Sequence, residues 1–304
     1  MSMDALNEIE FHVQAQPLLM AMLALMMFAV ALGLRPAHFS FFKTDPKHYF
    51  AGVFAQIIGL PLLTLGIIFL FQPAPSLALG MIIVACCPGG NISNLLALFA
   101  RANTALSVSM TATSSLAAAF LTPISILFWS SLYPPTQQLL TKIDFDAVSF
   151  LLQTLLILAL PIILGMLMVW RAPKLAAKLQ RPLGLIAVGI MVIIIIAGFW
   201  QYRDIIPKLF LLVFPLVVMH NAAALGLGYL SGIITRANVP TRRALTFEVG
   251  IQNSSLGFII LVTQISGLGG AAAITGMWGL WHLVGGGFMV FMFRLRDRFG
   301  GQHV

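Results

Sequence analysis

An all-α polytopic membrane protein with nine transmembrane helices is the fold class expected of this 304-residue chain, on three grounds. It is 60% apolar and only 9% charged, against about 25% charged residues in a soluble domain, so a water-facing surface cannot be covered. Apolar runs of about 20 residues, the length needed to cross the hydrocarbon core, recur along the whole chain. The 17 Lys and Arg residues fall almost entirely on alternate connections between those runs. A disordered chain, a secreted disulfide scaffold and a cytosolic enzyme are excluded. The net charge of +8 does not point to nucleic acid, because the basic residues sit in short connections and form no groove.

The runs lie at roughly 17–34, 49–71, 77–100, 104–129, 147–170, 182–200, 209–233, 244–264 and 270–293. Connections are short, the longest being 35–48 and 130–146, and leave no room for a further soluble domain. Lys and Arg divide 14 to one side and three (Lys142, Arg203 and Lys208) to the other. The richer side is read as cytoplasmic, with the N-terminus outside and the C-terminus inside a cytoplasmic (inner) membrane. Residues 1–16 form an extracytoplasmic tail that carries Asp4, Glu8 and Glu10 but no Lys or Arg, unlike a secretory signal. Residues 294–304 form a cytoplasmic tail. Trp129, Tyr133, Trp170, Trp200, Tyr202 and Tyr49 fall near span ends, where aromatic belts sit. Cys86 and Cys87 are the only thiols, and sequence neighbours rarely pair, so no structural disulfide is expected.

Polarity is spread unevenly over the spans. The second holds one amide, Gln56, which either bridges helices or serves a ligand. The third is interrupted by Cys86-Cys87-Pro88-Gly89-Gly90-Asn91-Ile92-Ser93-Asn94. Pro88 removes a backbone donor, the glycines permit unusual conformations, and Asn91, Ser93 and Asn94 suit capping of a new half-helix. The fourth carries Ser107, Ser109, Thr111, Thr113, Ser114 and Ser115; Ser107 and Thr111 share a face, and each residue either packs helices or ligates. The fifth is left over as a linker between two groups of four. The seventh contains His220, expected as a core histidine. The eighth contains Glu248, the only one of nine acidic residues inside a span, followed by Gln252, Asn253, Ser254 and Ser255. A carboxylate at that depth costs at least about 2.5–3.5 kcal/mol and marks an ion or proton pathway. Polar residues so dense require an unwound stretch beside a wet cavity. The ninth holds Trp278, Trp281 and His282, the histidine either in the core or lining an amphipathic cavity.

Spans one to four (17–129) begin outside, and spans six to nine (182–293) begin inside. The third member of each group is the interrupted one, an inverted repeat with two broken helices. Oxygen donors without a His or Cys cluster suit a hard cation, and a single carboxylate suits a monovalent one, sodium first and a proton as the alternative. Half-helices starting near Asn91 and Asn253 present N-terminal ends that attract anions. Cation sites beside an anion site imply cotransport.

These motifs resemble the bile acid:sodium symporter family and its bacterial members. The residues that carry the resemblance are Cys86 to Gly90 with Ser93-Asn94, Ala105-Leu106-Ser107, Glu248 to Ser254, His220-Asn221 and Trp281-His282. The resemblance implies a panel domain and a core domain in which two broken helices cross. It implies one sodium site of Ser93, Asn94, Ser107, Thr111 and Glu248, and another of Gln56, Glu248, Gln252 and the carbonyls of Val249 and Ile251. It puts the substrate near Asn91, Asn253 and His282. Three departures stand out: nine spans where many bacterial members have ten, Asn91 where Thr is common, and Leu283 where Asn is common. The expected activity is sodium-coupled import of an organic anion, bile-acid-like or a smaller carboxylate such as pantoate, by alternating access with two Na⁺. The alternative is a proton-coupled carrier or exporter on the same fold, with metalloid efflux through Cys86 and Cys87 as a variant. No nucleophile–base pair supports an enzyme.

Overall fold

The computed structural model describes residues 16–35, 38, 41–201, 206–265 and 268–300. The acidic tail with Asp4, Glu8 and Glu10, the residues Tyr202, Arg203 and Asp204, and the last four residues lie outside the described residues. The helices in chain order are α1 (Gln16–Leu32), α2 (Phe41–Thr44), α3 (Pro46–Phe71), α4 (Pro75–Ala85) and α5 (Asn91–Phe99). They continue as α6 (Thr104–Ser131), α7 (Pro134–Lys142), α8 (Ala147–Arg171) and α9 (Pro173–Gln201). The last four are α10 (Ile206–Ile234), α11 (Val239–Gly250), α12 (Ser254–Gln264) and α13 (Gly269–Gly300). Most of the length of α3, α6, α8, α10 and α13 is apolar enough to cross a membrane, while α1, α4 and α12 are shorter apolar helices.

The sequence explains most starts and stops. Proline opens α3, α4 and α7, where its missing N–H costs nothing. Asn103, Asp146, Asn238 and Asn253 cap α6, α8, α11 and α12, each accepting from backbone N–H groups of the first turn. The start of α5 differs from expectation: its cap is Gly90, which makes no side-chain bond, so Asn91, Ser93 and Asn94 are left for other partners.

Three further differences have local causes. The 130–146 connection contains α7, which begins at Pro134-Pro135 and turns Thr136 and Leu139 inward. Helix α9 starts at Pro173, well before the apolar run it carries, and α13 runs on past it to Gly300, because basic residues continue both helices beyond the hydrocarbon. Trp170 and Trp200 are exposed as belt residues should be, but Trp129, Tyr133 and Tyr49 are buried. Tyr49 bonds its hydroxyl to Thr113, and Tyr133 meets Phe69 edge-on at 5.2 Å, so both belong to the interior.

The two interrupted segments, α4–α5 and α11–α12, touch at their breaks. Gly90 N–H donates to the Ile251 carbonyl (3.1 Å), and Asn253 N–H donates to the Pro88 carbonyl (2.8 Å), making an antiparallel bridge between Gly89 and Gln252. The unwound backbone is thereby satisfied within the protein, as buried polar groups away from water require. Space at 89 is tight: a Cβ there would lie 2.9 Å from Gln56 Nε2 and 3.1 Å from Glu248 Oε2, so either side chain would have to shift. The distal ends of α5 and α11 are also joined. Buried Arg243 donates to the Ala100 carbonyl (2.8 Å) just past α5, and pairs with Asp297 on α13.

Candidate functional site

Glu248 ends fully buried near the break in α11–α12. Its Oε1 accepts from Ser93 Oγ and Ser107 Oγ, both at 2.5 Å, and its Oε2 accepts from Thr111 Oγ1 at 2.8 Å. Asn94 Oδ1 lies 2.8 Å from Ser107 Oγ and 3.4 Å from Thr111 Oγ1. Ser93 and Asn94 come from α5, Ser107 and Thr111 from one face of α6, and Glu248 from α11. Six side-chain oxygens therefore converge while the three hydroxyls supply only three protons, with Ser107 and Thr111 each facing more acceptors than one proton can serve. Among the described residues no Lys, Arg or His pairs with Glu248. Oxygen in excess of protons around an unpaired carboxylate suits a hard monovalent cation.

The second expected set gathers around the Glu248 backbone carbonyl. Gln56 stands in a π-helical turn at Ala55–Gly59 of α3, just ahead of Pro61, a local widening that often accompanies function. Its Nε2 donates to the Glu248 carbonyl at 2.8 Å, and Gln252 Nε2 donates to the Val249 carbonyl at 2.8 Å. Both amide oxygens, Gln56 Oε1 and Gln252 Oε1, are buried without a partner. An unsatisfied buried acceptor costs about 1–3 kcal/mol, and two in one cluster fit a cation held between them. The Ile251 carbonyl accepts from Gly90, which leaves it a second lone pair.

Asn91, Asn253 and His282 all line one cavity of about 700 Å³. The first turns of α5 and α12 open into it through Gly90, Asn91, Ser254 and Ser255. It reaches from the two breaks past Thr111 and Ser115 to Arg35, His38 and Gln180 at its far end. Among the described residues Arg35 is the only Lys or Arg that lines it, and no Asp or Glu does. His282 donates from Nδ1 to the Trp278 carbonyl (2.7 Å), which leaves Nε2 as the free ring nitrogen. His220, in contrast, is a core residue: Thr64 gives its one proton to the Leu60 carbonyl, so His220 Nε2–H donates to Thr64 Oγ1 at 2.7 Å.

Two residues that the sequence singled out only in passing, Ser114 in the fourth span and Asn221 beside His220, hold backbone at the breaks. Ser114 accepts from Gly89 N–H at 3.2 Å, and Asn221 Nδ2 holds the Gly250 carbonyl at 2.8 Å, so both position the breaks. Arg35, His38 and Gln180 lie outside any motif and join the cavity only through the fold.

The family model for the Sodium Bile acid symporter family matches residues 20–209. The chain belongs to this family. It is 31% identical to an uncharacterised sodium-dependent transporter, YocS, of Bacillus subtilis, over 88% of this chain and 80% of that protein. It is 34% identical to a probable sodium/metabolite cotransporter, BASS1, of Arabidopsis thaliana chloroplasts, over 72% of this chain but only 52% of that protein. It is 26% identical to a sodium-dependent organic anion transporter of Bos taurus, over 91% of this chain and 72% of that protein. The chain is thus a multi-pass membrane transporter of a sodium-dependent family and not an enzyme.

Proposed function

We propose that the protein is a symporter that uses two sodium ions to import an organic anion by alternating access. The carrying observation is the Glu248 cluster, in which six oxygens share three protons with no cationic side chain among the described residues. One sodium is held by Ser93, Asn94, Ser107, Thr111 and Glu248. The other is held by Gln56, Gln252, Glu248 and the carbonyls of Val249 and Ile251. The anion sits in the cavity at Asn91, Asn253 and His282, where two helix N-termini, with no carboxylate among the described lining residues, favour negative charge. The volume of about 700 Å³ suits a mid-sized organic anion, from a pantoate-like carboxylate towards a bile-acid-like one.

Nine spans, an inverted repeat of 17–129 and 182–293 about a linker at 147–170, and a core moving against a panel complete this reading. With the N-terminus outside and the C-terminus inside the cytoplasmic membrane, Arg35 and Gln180 put the cavity mouth on the cytoplasmic side. Sodium neutralises Glu248 and draws the two breaks together around the anion. If two Na⁺ accompany a monovalent anion, a potential of 100 mV adds about 2.3 kcal/mol per net charge to accumulation.

Proteoliposomes test this, screened with labelled organic anions from pantoate-sized to bile-acid-sized. Accumulation driven by an inward sodium gradient, and abolished in Glu248→Ala, is the expected result. Accumulation that follows pH and ignores sodium would assign the protein to the proton-coupled alternative.

A further inference from the structure

A second cavity, of about 630 Å³, is separate from both sodium clusters and the anion cavity. It is a groove along the outside of the bundle between Ala222, Leu225 and Gly226 on α10 and Gly285, Phe288 and Met292 on α13. Phe288 and Met292 are exposed along it, and Asn221, Leu225 and Phe293 are its buried lining residues. From Val218 to Tyr229 it runs about 16 Å along α10, close to the roughly 15 Å of one leaflet's hydrocarbon. One end is basic. Arg296 lines it and reaches the Tyr229 hydroxyl at 3.4 Å, and the Arg242 guanidinium lies 5.4 Å from the centre of the Tyr229 ring. Neither arginine has a carboxylate partner among the described residues, since Asp297 is taken by Arg243, and Arg242 Nε is buried with no partner.

We propose that this groove holds an acyl chain of an anionic glycerophospholipid, with its phosphate at Arg242 and Arg296. Arg242 also donates to the Ala237 carbonyl (3.1 Å), so both guanidinium groups are held in place by neutral oxygens. Apolar length matched to one leaflet, ending at two guanidinium groups with no carboxylate partner among the described residues, is the chemistry of a lipid with a negative head. A basic pocket between transmembrane helices recognises such headgroups. The site is independent of the sodium and anion reading.

Gly226 offers a clean test. A Cβ there would meet nothing within 4 Å, so Gly226→Leu starts its side chain in open space and projects it into the groove. Delipidated protein in detergent is titrated with phosphatidylglycerol, phosphatidylcholine and inorganic phosphate, and read by thermal unfolding and by native mass spectrometry. Phosphatidylglycerol is expected to bind and stabilise where the other two do not. Gly226→Leu, folded without lipid, is expected to lose that response. Arg242→Gln and Arg296→Gln should each weaken it by roughly fivefold, which decides the matter should Gly226→Leu not fold. Equal responses to both lipids, a response to phosphate alone, or an unchanged response in the Gly226 and arginine variants would overturn the proposal.

Discussion

Replacing Glu248 with Gln keeps the size of the side chain and removes its charge. The fold should survive, because Ser93, Ser107 and Thr111 are hydroxyls that can accept as well as donate, and the amide offers both. Cation binding should not survive. Removing one member of a buried charge pair costs about 3–5 kcal/mol, which is roughly 150- to 5,000-fold in Kd. With sodium at about 100 times its Kd, binding stabilises the wild-type protein by about 2.7 kcal/mol. For a variant whose Kd has risen about 150-fold, the same concentration contributes only about 0.3 kcal/mol. The assay is thermal unfolding in detergent, with Na⁺ exchanged for K⁺ at constant ionic strength. The wild type should show a sodium-specific rise in Tm and Glu248→Gln almost none. A rise of wild-type size in the variant would refute the assignment of the charge to the ion.

Gly89→Ala pushes a methyl group against the Gln56 amide and the Glu248 carboxylate; the sodium-specific rise in Tm should shrink, while a folded protein remains visible by circular dichroism. Arg243→Met strands Asp297 and the Ala100 carbonyl, and should cost about 3 kcal/mol in thermal or denaturant unfolding, the low end for a buried pair because Asp297 is partly hydrated. The Ser149 hydroxyl and backbone N–H hold the Asp146 carboxyl below its usual range. Its capping contribution is therefore complete above the unfolded-state pKa and lost as pH falls through the lower folded value. The Tm gap between wild type and Asp146→Ala should be full at neutral pH and close in acid below about pH 4.

Much of the site was legible because the membrane makes polarity expensive. Glu248, the Pro88-Gly89-Gly90 run and the Gln252–Ser255 cluster stand out against apolar neighbours, and the fold brings them together. Ser107 and Thr111 were legible by helical spacing, and both reach Glu248. Gln56 was ambiguous because a lone amide in a span has no pattern, and the π-helical turn that aims it arises from packing. Arg243 was counted only as one cytoplasmic charge, since nothing local distinguishes it from Arg242; its burial against α5 and α13 is a tertiary fact. Helix α7 was hidden by Pro134-Pro135 and polar neighbours, which read as a loop until Thr136 and Leu139 find the interior. The capping role expected at Asn91 went to Gly90, because that stretch of backbone is already extended by its bridge to Ile251.

That bridge carries a thermodynamic consequence. Gly90 and Ile251 are joined by one hydrogen bond, Pro88 and Asn253 by another, and the residues flanking them face both the oxygen clusters and the cavity lined by Asn91, Asn253 and His282. A ligand that orders either break orders the other through the same two bonds. In the proposed symport, whatever factor by which sodium raises affinity for the anion, the anion must raise affinity for sodium by that factor, because the coupling free energy belongs to the pair. Substitutions that loosen the bridge should lower both affinities' mutual dependence while leaving each intrinsic site chemically whole.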